Sequence, residues 1–165
     1  MNLEKTTIER IKKIHYDQVK PLVFKTKTEP FFPLDAAYFD KDTFYHLINR
    51  MASDQTMVTY VVKVGQKIVG LASLRGIDDA DKSCEYTIYV EKAYQGKGIA
   101  KTATDLILKE AFQRLDLTTV YLRVDPLNKK AQHFYDVYGF KKTECTEYET
   151  KPCLYQWYKI GRVDR

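Results

Sequence analysis

The stretch from Glu85 to Arg114 constrains the fold most, because it reads as strand, glycine loop and helix in immediate succession. Cys84-Glu85-Tyr86-Thr87-Ile88-Tyr89-Val90 is rich in aromatic and β-branched residues and is flanked by charge and turn residues, the composition of a strand. From Ile99 onward, Ala103, Leu106, Ile107, Ala111 and Leu115 recur at helical spacing, so an amphipathic helix is expected. Between them lies Gln95-Gly96-Lys97-Gly98-Ile99-Ala100. Two residues without Cβ atoms let a backbone approach a ligand closely, and the N–H groups of a helix start have no partner within the helix. Such an end attracts phosphate, although a glycine pair also serves as a plain strand-to-helix turn.

A dinucleotide-binding fold places a glycine loop at the same junction, and Asp125 ends the next strand where a ribose-binding acid could sit. That reading is disfavoured by Lys101, which stands where the fingerprint needs its third glycine, and by a hairpin ahead of the loop in place of a chain start.

Gln95-x-x-Gly98-x-Ala100 resembles the acyl-CoA pyrophosphate loop of the GNAT N-acetyltransferase superfamily. Asn128, followed by Ala131-Gln132-His133-Phe134-Tyr135-Asp136-Val137-Tyr138-Gly139-Phe140, is similar to a second segment of that family. The two motifs stand in the right order, about thirty residues apart with a strand between them, and together are far more specific than either alone. The resemblance runs clearly from Val69 to Lys142 and lies nearest the branch holding polyamine and ribosomal-protein N-terminal acetyltransferases.

At 165 residues the chain fits one domain, 1–165, with room for a real core. It shows no apolar run of membrane length, and Met1-Asn2-Leu3-Glu4-Lys5 lacks a signal-peptide pattern, so a cytoplasmic protein without membrane association is expected. Cys84, Cys145 and Cys153 have no CxxC spacing and an odd count, which suggests neither a metal site nor a disulfide framework. The net charge of +5 lacks the basic run interleaved with aromatics that nucleic acid would want, and a ligand carrying several phosphates accounts for it equally well.

In chain order, Thr6 to Ile11 reads as an edge strand and His15 to Phe24 as a short helix interrupted near Pro21. Thr28 to Phe39 holds Phe31 and Phe32 between two prolines and reads as a loop: with Asp35 it is either a substrate wall or an apolar plug over the core. Asp42 is expected to cap a helix from Thr43 to Met51. Met57 to Val64 alternates, Gly65-Gln66 suits a hairpin turn, and Lys67 to Arg75 returns. Thr118 to Val124 reads as a strand, Asn128 opens the helix that carries Tyr135, and Gly139 closes it as a left-handed cap would. Lys141 to Tyr148 and Cys153 to Ile160 complete the pattern. The order βααβββαβαββ is a mixed α/β (α+β) arrangement around one sheet. The resemblance implies the same order: a mostly antiparallel sheet flanked by helices, with strands splayed at a V-shaped CoA slot.

The resemblance further implies acetyl-CoA as co-substrate, no metal, and direct attack by a primary amine in a ternary complex. The acceptor would be a small cationic amine such as a polyamine; a protein N-terminus, or a non-catalytic acyl-CoA-binding module, is the alternative. Acids near the expected acceptor wall, Glu29, Asp35, Asp40 and Asp42, favour a cation. In the family, backbone N–H groups that fall here on Tyr89 and Val90 polarise the thioester carbonyl, and Gln95, Gly96, Lys97, Gly98, Ile99, Ala100 and Asn128 contact CoA. Tyr135 matches the tyrosine that protonates or hydrogen-bonds the departing sulfur, though a helix tyrosine also packs on a sheet. Glu85 matches a glutamate acting as base directly or through water, and a surface glutamate paired with a lysine is its other reading. His15, His46 and His133 show no spacing for a triad or a metal and read as structural. A homodimer is compatible with all of this.

Overall fold

The computed structural model describes residues 4–25, 40–144 and 154–164. Phe31, Phe32, Asp35 and Glu29 lie outside them, as do Cys145 and Cys153. Seven strands form one sheet: β1 (Thr6–Arg10), β2 (Val58–Val64), β3 (Lys67–Asp78), β4 (Ser83–Val90), β5 (Thr119–Val124), β6 (Lys141–Thr143) and β7 (Gln156–Gly161). Their spatial order is β1-β2-β3-β4-β5-β7-β6, antiparallel throughout except for the β4–β5 pair. Among the described residues four α-helices accompany them: α1 (Tyr16–Lys25), α2 (Lys41–Ser53), α3 (Ile99–Lys109) and α4 (Lys129–Tyr138). The mixed α/β class expected from the element order is the class observed, and none of the described helices is long and apolar enough to cross a membrane.

Strand side chains alternate between faces, and each face has its own core. On one, Ala103, Ile107 and Leu108 of α3 pack on Tyr60, Leu74, Tyr86, Leu122 and Tyr158. On the other, Val19, Leu22 and Val23 of α1 and Phe44 of α2 pack on Val61, Ile68 and Leu71. Each fully buried leucine or phenylalanine contributes about 1.5–3 kcal/mol relative to an exposed one. Because helices cover both faces here, Val58 to Val62 of β2 are all buried, and the alternation read in this segment does not separate a wet face from a dry one.

Three local expectations are corrected. Asp40, not Asp42, caps α2: its Oδ1 accepts the Thr43 N–H at 2.8 Å, so the helix begins two residues earlier. Pro21 lies inside α1 without interrupting it. The last strand begins at Gln156 rather than Cys153, and of the expected Lys141 to Tyr148 strand Lys141–Thr143 is seen among the described residues. Cys84 is buried, and burial pushes its thiol up to about 12, so it is an inert core thiol.

Candidate active site

The parallel β4–β5 ladder is short. It pairs Ser83 with Thr119, Cys84 with Val120 and Glu85 with Tyr121, and stops, although β4 runs on to Val90 and β5 to Val124. Beyond Glu85 the strands part, and a cavity of about 1120 Å3 fills the fork between Tyr86–Val90 and Leu122–Val124. The glycine loop closes one end of the fork and α4 forms its roof, through Gln95, Gly96 and Gly98 on one side and Asn128, Phe134 and Tyr135 on the other. Strand pairing thus stops where an extended ligand could take the place of the missing rungs.

The loop has the geometry of an anion cradle. Gly96 and Gly98 have φ of +74° and +81°, which L side chains rarely adopt, and a Cβ at either would meet nothing within 4 Å. Gly98 is the N-terminal flanking residue of α3 and offers no side-chain cap, so the helix start presents bare N–H groups beside the cavity. Gln95 locks the loop: its Nε2 donates to the Val90 carbonyl at 2.9 Å, and its Oε1 accepts from Lys130 Nζ at 3.3 Å. Asn128 both lines the cavity and caps α4, accepting the Ala131 N–H at 3.1 Å. Tyr89, Val90 and Ala100 line the cavity as well. Ile99 is buried in the core, and the exposed Lys97 lies over the Tyr94 ring at 5.5 Å.

Tyr135 is half-buried on α4 and borders the cavity, with Phe134, Phe140 and Tyr158 packed around its ring at 5.1, 5.4 and 6.1 Å. Its packing and its exposure to the cavity therefore coexist. Burial holds its phenol well above the ordinary tyrosine value, so at neutral pH it is a proton donor. On the same side, Tyr138 of α4 donates a hydrogen bond to Asp105 of α3, tying the two helices across the cleft.

Glu85, its side chain 19 % exposed, lies beside the fork between two arginines that line the cavity. Arg75, its cross-strand partner on β3, donates Nε–H to Oε2 at 3.1 Å. Arg123 of β5 brings Nε to 2.8 Å from Oε1 with its N–H not aimed at the oxygen, so this contact is ionic and Oε1 keeps an uncommitted lone pair. The Arg123 guanidinium also stacks over Tyr155 and Trp157, at 5.3 and 5.6 Å from their centres. Sequence reasoning placed neither arginine beside Glu85. Arg75 is ten residues from Glu85 and Arg123 lies on another strand, and only the register brings them together. Among the described residues no cluster of His, Cys, Asp and Glu is arranged to hold a metal ion.

Comparison with known proteins agrees with this geometry. The chain is 35 % identical over 104 residues to the spermidine N(1)-acetyltransferase of Vibrio cholerae, spanning 62 % of this chain and 60 % of that protein. It is 35 % identical over 94 residues to the Escherichia coli K12 spermidine N(1)-acetyltransferase, spanning 57 % of this chain and 50 % of that one. The matched region thus covers only half to three-fifths of these relatives' length. A dodecameric structure of spermidine N-acetyltransferase from Vibrio cholerae superposes with a TM-score of 0.78 at 25 % identity, covering 96 % of this chain and 94 % of that one. Residues 20–140, from α1 to the end of α4, match the acetyltransferase (GNAT) family, to which this chain belongs.

Proposed function

We propose that the protein is an N-acetyltransferase that moves an acetyl group from acetyl-CoA to a primary amine, in particular that of a polyamine. The observation that carries this reading is the fork between β4 and β5, with a bare helix start at one end and a protonated tyrosine over it. Two spermidine N(1)-acetyltransferases among the relatives support the acceptor class.

Acetyl-CoA, the family's acetyl donor, would supply an activated thioester. The loop Gln95 to Ala100 fits its pyrophosphate, because the space a Cβ would take at Gly96 and Gly98 is open and the N–H groups of α3 face it. Lys101 and Lys130, which line the cavity, add positive charge for phosphate. Backbone at Tyr89 and Val90 polarises the carbonyl at the tail of β4. Glu85, through the uncommitted lone pair on Oε1, takes a proton from the amine as the C–N bond forms. Tyr135 gives its phenol proton to the sulfur as the C–S bond breaks, and through solvent regains the proton that Glu85 took from the amine, which restores both groups. Arg75 and Arg123 hold the Glu85 side chain in place between them.

The dodecameric relative supports reading this chain as one that self-associates, which light scattering tests. The activity is tested by following thiol release from acetyl-CoA with spermidine, a short monoamine and a peptide with a free N-terminus. Turnover highest on spermidine is expected; no release with any amine would sink the reading, and highest turnover on the peptide would replace the acceptor.

A further inference from the structure

The mechanism above has no use for Thr87, yet that side chain stands in the cleft. It lies two residues beyond Glu85 on β4, on the same face, past the last β4–β5 rung, and it lines the cavity. Its hydroxyl oxygen is enclosed and has no hydrogen-bond partner among the described residues. The cross-strand neighbour on β3, Ser73, also carries a hydroxyl, but that group is joined to Thr59 Oγ1 at 2.8 Å. Burying an unpaired hydroxyl is unfavourable, and valine would fill the same shape without it. A site that keeps such a group points to a partner from outside the chain.

The chemistry of the corner says which partner. Arg75 and Arg123 can only donate hydrogen bonds. The enclosed acceptors beside the fork are Thr87 Oγ1 and Glu85 Oε1, neither with a directed hydrogen bond. A neutral primary amine carries two N–H groups and one lone pair. With one N–H given to each acceptor, the lone pair is left free to point at the thioester carbon. A secondary amine has one N–H and can satisfy only one of the two.

We infer that Thr87 orients the attacking amine by accepting one of its N–H groups, and that the Thr87–Glu85 acceptor pair selects primary over secondary nitrogens. The inference rests on the acetyl-transfer reading. It assigns Thr87 no proton transfer: the proton still passes from nitrogen to Glu85.

The test compares wild type with Thr87→Val and Thr87→Ser on butylamine and on N-methylbutylamine, together with acetyl-CoA binding by calorimetry and the melting temperature. For wild type, kcat/KM should favour the primary amine. Thr87→Val should lower kcat/KM for the primary amine by roughly tenfold, the worth of one neutral hydrogen bond, and that for the N-methyl analogue less, so the preference shrinks. Thr87→Ser should restore it. Acetyl-CoA affinity should be unchanged and the melting temperature no lower than wild type. An unchanged primary-over-secondary ratio in a folded Thr87→Val variant overturns the inference, as does a loss of activity accompanied by loss of acetyl-CoA binding. A wild type that binds acetyl-CoA but acetylates neither these amines nor spermidine overturns instead the reading on which it rests.

Discussion

Gly70 and Tyr89 approach so closely that a Cβ on Gly70 would stand 2.2 Å from the Tyr89 carbonyl oxygen and 3.2 Å from the Val90 Cα. Both obstacles are backbone, so no side-chain rotation relieves them. Gly70 pairs with Val90, and its bare Cα lets β3 hold the tail of β4 where that tail lines the fork. Gly70→Ala should therefore force β4 off β3, with a stability loss of about 1–3 kcal/mol in chemical denaturation. Acetyl-CoA turnover should fall further than stability explains if the tail of β4, which then moves, polarises the thioester carbonyl as proposed. Wild-type stability and turnover in the variant would show that the strands relax without cost.

Tyr135 offers a clean separation of packing from chemistry. Tyr135→Phe keeps the ring among Phe134, Phe140 and Tyr158 and deletes only the hydroxyl. A positioned general acid is worth roughly 10²-fold or more, so kcat should drop by about that factor while acetyl-CoA affinity stays near wild type. Steady-state kinetics with calorimetry decides it, and an unchanged kcat would return the residue to the core.

Much of this site is legible in the sequence because its parts are local. Glycines at Gly96 and Gly98 announce left-handed backbone before a helix, Asn128 announces a cap three residues before the N–H it accepts, and Gly139 adopts φ of +119° where it closes α4. The parts that depend on register are not legible. Arg75, Glu85 and Arg123 meet through one antiparallel and one parallel pairing, and no periodicity along the chain encodes which rung faces which. Gly70 reads as an ordinary small residue in a strand until the Tyr89 carbonyl is seen against it. At α2 the sequence offers two acids two positions apart, Asp40 and Asp42, and which one caps is decided by where the chain turns into the helix. Both faces of β2 are covered, a tertiary fact that its alternation does not carry.

The arginine pair around Glu85 makes Glu85→Gln a double experiment. The charge lost was shared by Arg75 and Arg123, whose side chains remain 33 % and 31 % exposed, so stability should fall by about 1–3 kcal/mol, less than for a fully buried pair. The rate defect should be largest where the amine is still an ammonium and should shrink as pH rises and a growing share is neutral. A stability loss with a rate defect constant from pH 6 to 10 would leave Glu85 as the anchor of its arginines and remove it as a base.

His15 is buried where β1 meets α1. Its Nδ1 accepts the Lys12 N–H at 2.9 Å, which fixes the other ring nitrogen as the donor, 3.6 Å from a Glu9 carboxylate oxygen. Burial holds its pKa below the ordinary histidine value; Glu9 opposes this, while Lys63 and Lys12 add to it. Protonating Nδ1 would also turn the acceptor of the Lys12 N–H into a donor. The unfolded chain, with its histidine near the ordinary 6.5, therefore takes up the proton first as the medium is acidified. The stability that neutral His15 contributes is whole above about pH 6.5 and declines as pH falls through 6.5 toward the depressed folded value. His15→Asn keeps an acceptor for the Lys12 N–H and removes the titration. In urea denaturation at pH 7.5 and pH 5.5, wild type should lose more stability across that interval than the variant, by up to about 1 kcal/mol for each pH unit in which only the unfolded chain is protonated. Equal losses in the two proteins would mean that His15 titrates alike in the folded and unfolded chain, and that its burial has no consequence for pH.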